Sequence, residues 1–256
     1  MSSIEIKAPI FEVDPDETEH KTLWQHAWQT LLKDKLAVIS LIIVILYSLV
    51  AICTALGIMG GNWADEIGPA YTAPNANAWF GTDIFGRSVL MKTIKGTEVA
   101  MSVGLITALI SGFIGLILGA VAGYFGGKID ELIVWFYTTV SSIPYIILLI
   151  AITFILGKGL IAVYLALGLT SWVNLCRLIR GEVMRHKERE YVHAASAIGG
   201  GHFRKLFLHI IPNVTHIVII NFSLQFQVAI KSEVICLLYT SPSPRDQRGS
   251  RMPSSA

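Results

Sequence analysis

The 256-residue chain is 53% hydrophobic and 15% charged, against about 25% charged residues in soluble domains, so a single solvated globule is excluded and an integral membrane protein is indicated. A net charge of +2, with the basic residues gathered locally, excludes a nucleic-acid-binding face. Cys53, Cys176 and Cys236 have neither a disulfide framework nor metal-ligand spacing and read as inert.

Residues 1–35 place Glu5, Glu12, Asp14, Asp16, Glu17 and Glu19 before Lys21, Lys33 and Lys35, with Trp24 and Trp28 between. This reads as a loose tail followed by a short interfacial helix. The first apolar run, residues 36–59, is preceded by acidic residues and is too long for a signal h-region of about 7–15 residues, so it is a retained first span. Residues 60–98 are polar and Gly/Pro-containing, and lead into the second span through the run FGTDIFGRSVLMKTIKGTEVAMSVG at 80–104. Within it Asp83 and Arg87 read as a local ion pair of small worth if exposed.

Residues 99–127 are long enough for a second span, about 20 helical residues being needed for 30 Å of hydrocarbon. Gly115, Gly119 and Gly123, with Gly112 nearby, predict a face for close helix approach. The stretch AGYFGGKI at 122–129 superficially resembles a phosphate-binding loop, but Ala122 stands at the first glycine and Ile129 where Ser or Thr is needed. No nucleotide site is predicted on this chain. Residues 132–156 form a third span, entered through Asp130 and Glu131 and kinked at Pro144, with Ser141 or Ser142 relieving the break. A turn at 157–159 leads to a fourth span, residues 160–176, anchored by Trp172.

Between the fourth and fifth spans lies EYVHAASAIGGGHFRKLFLHIIPN, residues 190–213. Ala194, Ala195, Ala197 and Gly199 leave one side of a short helix nearly bare, suited to close contact with another protein. Gly199, Gly200 and Gly201 end it, and residues 203–211 predict a second helix stopped near Pro212. A connector lying on the lipid surface is the blander alternative. Arg177, Arg180, Arg185, Lys187, Arg189, Arg204 and Lys205 make this the most basic loop, so it and the N-terminus are assigned to the cytoplasm and residues 60–98 to the outside. The fifth span, residues 214–230, is followed closely by Ser232. Asn221, Gln225 and Ser232 share roughly one face, predicted to line a pore, with helix-to-helix bonding the alternative.

After Ile235 the chain turns to CLLYTSPSPRDQRGSRMPSSA, rich in Ser, Pro and Arg without apolar periodicity. Its abrupt onset within an expected helix predicts that residues 236–256 are not native coding sequence and that a sixth span has been lost.

Two stretches carry a resemblance. Glu190, Tyr191, Val192, Ala194, Ala195, Ala197, Gly199, His209, Ile210, Pro212 and Asn213 match the E-Y-V-x-A-A-x-A-x-G, nine residues, H-I-L-P-N loop of ABC-importer permeases for dipeptides and oligopeptides, with Ile211 for leucine. Gly81, Thr82, Asp83, Gly86, Arg87, Gly96 and Gly104 are similar to the L-G-T-D-x-x-G-R-D signature of the same family, and Ser142 to Pro144 to its S-x-P element. Ser88 departs from the usual aspartate, Lys92 and Glu98 from arginine, and Ala100 from serine, so the family's salt bridges at those positions are not carried over.

The resemblance covers residues 20–235 and implies an all-α polytopic bundle, a type I ABC-importer permease with five spans present. It implies a half pore that pairs with a second homologous permease subunit in a prokaryotic cytoplasmic (inner) membrane. Residues 177–213 would form the loop seated in a cytoplasmic ATP-binding subunit, which alone would bind ATP and Mg, and an extracytoplasmic substrate-binding protein would deliver the cargo. The chain itself would carry no cofactor, metal or catalytic residue. The family's cargo includes dipeptides, oligopeptides, nickel chelates and some oligosaccharides. A channel or scaffold without an ATPase stays open. A membrane-embedded enzyme is disfavoured because His209 and His216 stand alone.

Overall fold

The computed structural model describes residues 28–29, 31–157 and 159–240, with side chains as far as residue 235. Most of the expected N-terminal tail and interfacial helix, the Lys158 turn residue, and residues 241–256 of the expected non-native tail lie outside the described residues. The backbone divides into two units, residues 1–49 and 50–256.

Helix α1, Lys35–Ala55, starts where the Asp34 carboxylate accepts the Leu36 N–H at 2.9 Å, an N-cap. Its first fifteen residues carry no charge after Lys35, and most of their large side chains are exposed, as for a helix whose solvent is lipid. The run expected to reach Met59 ends four residues earlier, turning at Gly57 with φ +75°.

The second unit is built on α2, Val89–Phe125, and α5, Leu160–Lys187. Helix α2 begins ten residues before the expected second span, at Ser88, whose hydroxyl accepts the Met91 N–H. Thirty-seven residues give about 55 Å, well beyond the hydrocarbon, so the helix has room for a charged first part containing Lys92, Lys95 and Glu98 besides a full span. Helix α5 likewise continues past Cys176, because the arginines that follow have partners: Arg177 reaches Ser141 Oγ at 2.9 Å and lies over the Tyr137 ring, and Arg180 pairs with Asp130.

The expected glycine face is present. A Cβ at Gly115, Gly119 or Gly123 would sit 2.9, 2.6 or 2.6 Å from the carbonyl oxygens of Trp172, Cys176 and Arg180 respectively. Three successive turns of α2 therefore lie directly on three successive turns of α5. A Cβ at Gly112 would meet no atom within 4 Å, so this glycine takes no part in the contact.

The third span is corrected from a kinked helix to a broken one. Helices α3, Gly127–Ser141, and α4, Tyr145–Leu156, meet at 90°. Pro144 has no N–H to give and takes an extended ψ of 128°. Upstream, the Ser142 N–H and hydroxyl both donate to the Thr138 carbonyl at 3.0 Å, so Ser142 closes the end of α3.

After α5 comes the short helix α6, Glu190–Ala197, then a turn at Gly199, a helical turn His202–Arg204 and a π-helical turn Lys205–Ile210. This runs without interruption into α7, Ile211–Thr240. The expected stop near Pro212 is therefore wrong. The ring sits at the second residue of α7, directly after the wider π turn, where the altered bonding pattern tolerates a residue without a donor. Four helical segments are each long and apolar enough to cross a membrane, and the α3–α4 pair makes a fifth if it is one bent span. Among the described residues there is no strand, only two isolated bridges.

Candidate functional site

Three features named by the sequence acquire geometry. The first is the turn at Gly81, Thr82, Asp83, Gly86 and Arg87. A Cβ at Gly81 would meet the Thr72 carbonyl oxygen at 2.4 Å and one at Gly86 the Gly68 oxygen at 2.0 Å, both at positive φ, so only glycine fits either place. Thr82 Oγ1 is buried between two strands of loop, accepting the Thr72 N–H at 2.8 Å and donating to the Pro69 carbonyl at 2.6 Å. The Asp83 carboxylate accepts the backbone N–H groups of Phe85 and Arg87, at 2.8 and 3.0 Å, and the Lys92 ammonium at 2.9 Å. Burial pushes its pKa up, but these donors, Lys92 foremost, hold it down at about 2.

The expected Asp83–Arg87 ion pair is absent. Arg87 instead lies over the rings of Phe85 and Trp63, 5.1 and 5.8 Å from their centroids, and Lys92, one of the departures from the family pattern, takes the carboxylate. Glu98, another departure, pairs with Lys95 at 2.5 Å. Sequence spacing favoured the arginine four residues away, but the carboxylate is used by the Arg87 backbone, which leaves the side chain pointing elsewhere.

The second feature is the loop around α6. Val192 and Ala195 are buried, while Tyr191, Ala194, Ala197 and Ile198 face outward, Ile198 at 85% exposure. Ala195 is thus corrected from the bare outer face to the inner one. Glu190 and Arg189 are exposed at the N-terminal end. Gly199 takes φ +80°, as the turn requires, and Gly200 is needed for space, since its Cβ would lie 2.6 Å from the Ala195 oxygen. Below the loop, Val192, Leu206, Ile210 and Val214 pack with Tyr124 of α2 and Ile179 and Val183 of α5. Polar ties at the edge were not foreseen: Tyr124 Oη with His202 Nδ1 at 3.0 Å, His186 Nδ1 with Tyr191 Oη at 2.8 Å, and Lys205 Nζ donating to Ser196 Oγ at 3.0 Å. Of the downstream signature, Asn213 Nδ2 donates to the His209 carbonyl at 2.5 Å, bonding across the residue that has no N–H, Pro212. A Tyr at a helix end carries little spacing signal, which is why Tyr124 went unread.

The third feature is a cavity of about 390 Å³ in the bend between α3 and α4, closed by α5 and α7. Of the three expected pore residues only Gln225 lines it, with Ser141, Tyr145, Ser171, Asn174 and Val228 among its neighbours. Asn221 is half-buried and does not line it. Ser232 is buried and receives the Tyr145 hydroxyl at 3.4 Å, so it bonds helix to helix, the alternative reading. Glu233, beside it, is also buried, 6% exposed. Among the described residues no group of three His, Cys, Asp or Glu side chains could hold a metal ion.

Comparison with known proteins places this geometry. Residues 115–255 match the family described as binding-protein-dependent transport system inner membrane component, and residues 22–58 match the N-terminal TM domain of oligopeptide transport permease C. The oligopeptide transport system permease protein OppC of Bacillus subtilis is 31% identical over 83% of this chain and 70% of its own length. The dipeptide transport system permease protein DppC of the same organism is 32% identical over 87% of this chain and 69% of its own. The glutathione transport system permease protein GsiD of Pectobacterium atrosepticum is 28% identical over 82% and 70%. The chain therefore belongs to the family of binding-protein-dependent transport system inner membrane components, as a multi-pass permease subunit of an ABC importer.

Proposed function

We propose that the chain forms half of the translocation path of a peptide importer and takes its power stroke through α6 from a separate cytoplasmic ATP-binding subunit. The observation that carries this reading is the two-sidedness of the loop. Val192, Leu206 and Ile210 root it in the core shared by α2 and α5, while Ala194 and Ala197, flanked by Tyr191 and Ile198, offer an exposed outer face. A push on that face is delivered to helices that cross the membrane. The peptide cargo is inferred from the relatives named for oligopeptides, dipeptides and glutathione. A second homologous permease would supply the other half of the path, and a substrate-binding protein would dock outside on the rigid turn at Gly81 to Arg87. The N-terminus and the α6 loop are cytoplasmic in this reading.

The reading is tested by co-purification of the ATP-binding subunit and by ATP-dependent uptake of labelled di- and oligopeptides into proteoliposomes holding the whole transporter. Uptake that needs no ATP would make the chain part of a channel. Gly68→Cys and Ile198→Cys, reacted with an impermeant thiol reagent, check the orientation. Labelling of both from one side would overturn it.

A further inference from the structure

The cavity at the break between α3 and α4 combines three properties. Its lining has no charged side chain: Ser141, Tyr145, Thr170, Ser171, Asn174 and Gln225 are its polar members, and the rest, Val228 included, is apolar. Two polar atoms of that lining, Gln225 Nε2 and Ser171 Oγ, are buried with no hydrogen-bond partner. It is also deep. Ser171 lies about 17 Å along α5 from Leu160 and Gln225 about 21 Å along α7 from Ile211, so both fall inside helices long and apolar enough to cross a membrane.

Buried donors without partners are uncommon and ask for an explanation. The two atoms are themselves covered, but Ser171 and Gln225 line the cavity and are only half-buried, so rotation of either side chain brings its polar atom to the open space. A chain passing through the membrane as an extended peptide must shed water from its amide groups, and each bare amide at that depth is costly unless a protein group replaces the water. An amide side chain and a hydroxyl can do this without choosing among sequences: Gln225 Nε2 donates to a main-chain carbonyl, and Ser171 Oγ accepts a main-chain N–H or donates to a carbonyl. A charged lining would bind a terminus too firmly to release it.

We propose that this cavity is a main-chain amide subsite on the translocation path, in which Gln225 and Ser171 receive one peptide group of the passing substrate while the apolar wall takes its side chain. The proposal rests on the peptide-importer reading above. Its sequence-independence is the expected property: glycine, alanine and leucine peptides pass with similar dependence on Gln225.

The test uses the complete transporter in proteoliposomes, with Cys53→Ala, Cys176→Ala and Cys236→Ala as background. Gln225→Leu and Ser171→Ala together should lower peptide uptake at limiting concentration by about tenfold, as expected for unpaired amides, with ATP-binding-subunit co-purification unchanged. A second measurement does not depend on those variants folding. Val228→Cys places a thiol on the cavity wall, and a transported peptide should slow its reaction with a small thiol reagent, whereas a sugar of similar size that is not transported should not. Normal uptake by the double variant, or labelling of Val228→Cys unaffected by peptide, overturns the subsite. If the unaltered transporter takes up no peptide, the cargo reading fails instead. The labelling is then repeated with the solute that is carried: protection by a carried solute without amide groups overturns the amide assignment, and protection by none removes the cavity from the path.

Discussion

Arg180 grips Asp130 with two parallel bonds, Nε to Oδ1 at 2.5 Å and Nη2 to Oδ2 at 2.6 Å, across fifty residues of sequence. The pair fastens the first turn of α3 to α5 a short way before α5 hands over to the α6 loop. Both side chains are partly covered, 15% and 26% exposed, so the bonds are worth more than a surface pair and less than a fully buried one. Asp130→Asn should destabilise the solubilised protein by about 1–3 kcal/mol. Asp130→Asn with Arg180→Met should cost less than the sum of the two single changes. Thermal melting of the four proteins gives the coupling, and strict additivity would show that the pair contributes nothing.

The glycine stripe separates into positions that need glycine and one that does not. Gly119→Val should abolish stable expression, since its Cβ would fall 2.6 Å from a backbone oxygen that no rotamer change can move. Gly112→Ala faces open space within the same helix and should stabilise by about 0.5–1 kcal/mol through helix propensity. Membrane yield and melting temperature decide it, and equal tolerance at both positions would remove the close approach of α2 and α5.

Asp83 predicts an acid limit for the outer turn. Its carboxyl has an ordinary pKa of 3.8, held down to about 2 in the fold. The stabilisation is therefore complete above pH 3.8 and is lost as pH falls through about 2. Because Arg87 stacks on Trp63, the Trp63 emission, taken as the difference from Trp63→Phe, should change in that window. The same window should be silent in Asp83→Asn, which is already destabilised at neutral pH. A transition centred near 3.8 would mean that Lys92 and the two backbone donors do not hold the carboxylate.

The α6 loop distinguishes docking from folding by face. Ala194→Glu and Ile198→Asp lie outside and should leave insertion intact while reducing ATP-binding-subunit co-purification. Ala195→Asp puts a charge into the covered side and should cost about 3–5 kcal/mol if unpaired, lowering the amount of folded protein. Gly199→Val, at φ +80°, should cost about 1 kcal/mol or more. If Ala194→Glu and Ala195→Asp behave alike, the two faces are not functionally distinct.

What could be read from the sequence followed the kind of constraint. Four-residue glycine spacing is a direct image of helix contact, and the Gly199 turn follows from backbone sterics, so both were legible. Which side of a two-turn helix faces inward was not, because Val192 and Ala195 are set by α2 and α5, far away in the chain. Pro212 was misread because a proline stops a helix only when the turn before it is α-helical, and the π turn at Lys205–Ile210 has no compositional mark. Asp83 was paired by proximity along the chain, whereas the turn's own N–H groups had already fixed where Arg87 could point. The cavity was glimpsed only through Gln225, since its other walls come from α5 and from two helices separated by the break at Pro144.

The contact of Gly115, Gly119 and Gly123 with three carbonyls of α5 also determines where this protein can bend. Two rods touching backbone to backbone over three turns cannot roll on one another without colliding at each touch, so α2 and α5 move as a single plate. Whatever displacement reaches them from the α6 loop must be absorbed where the chain has no such seam. The short corner of residues 142–144 has no such seam, and the hollow beside it would change volume as that corner flexes.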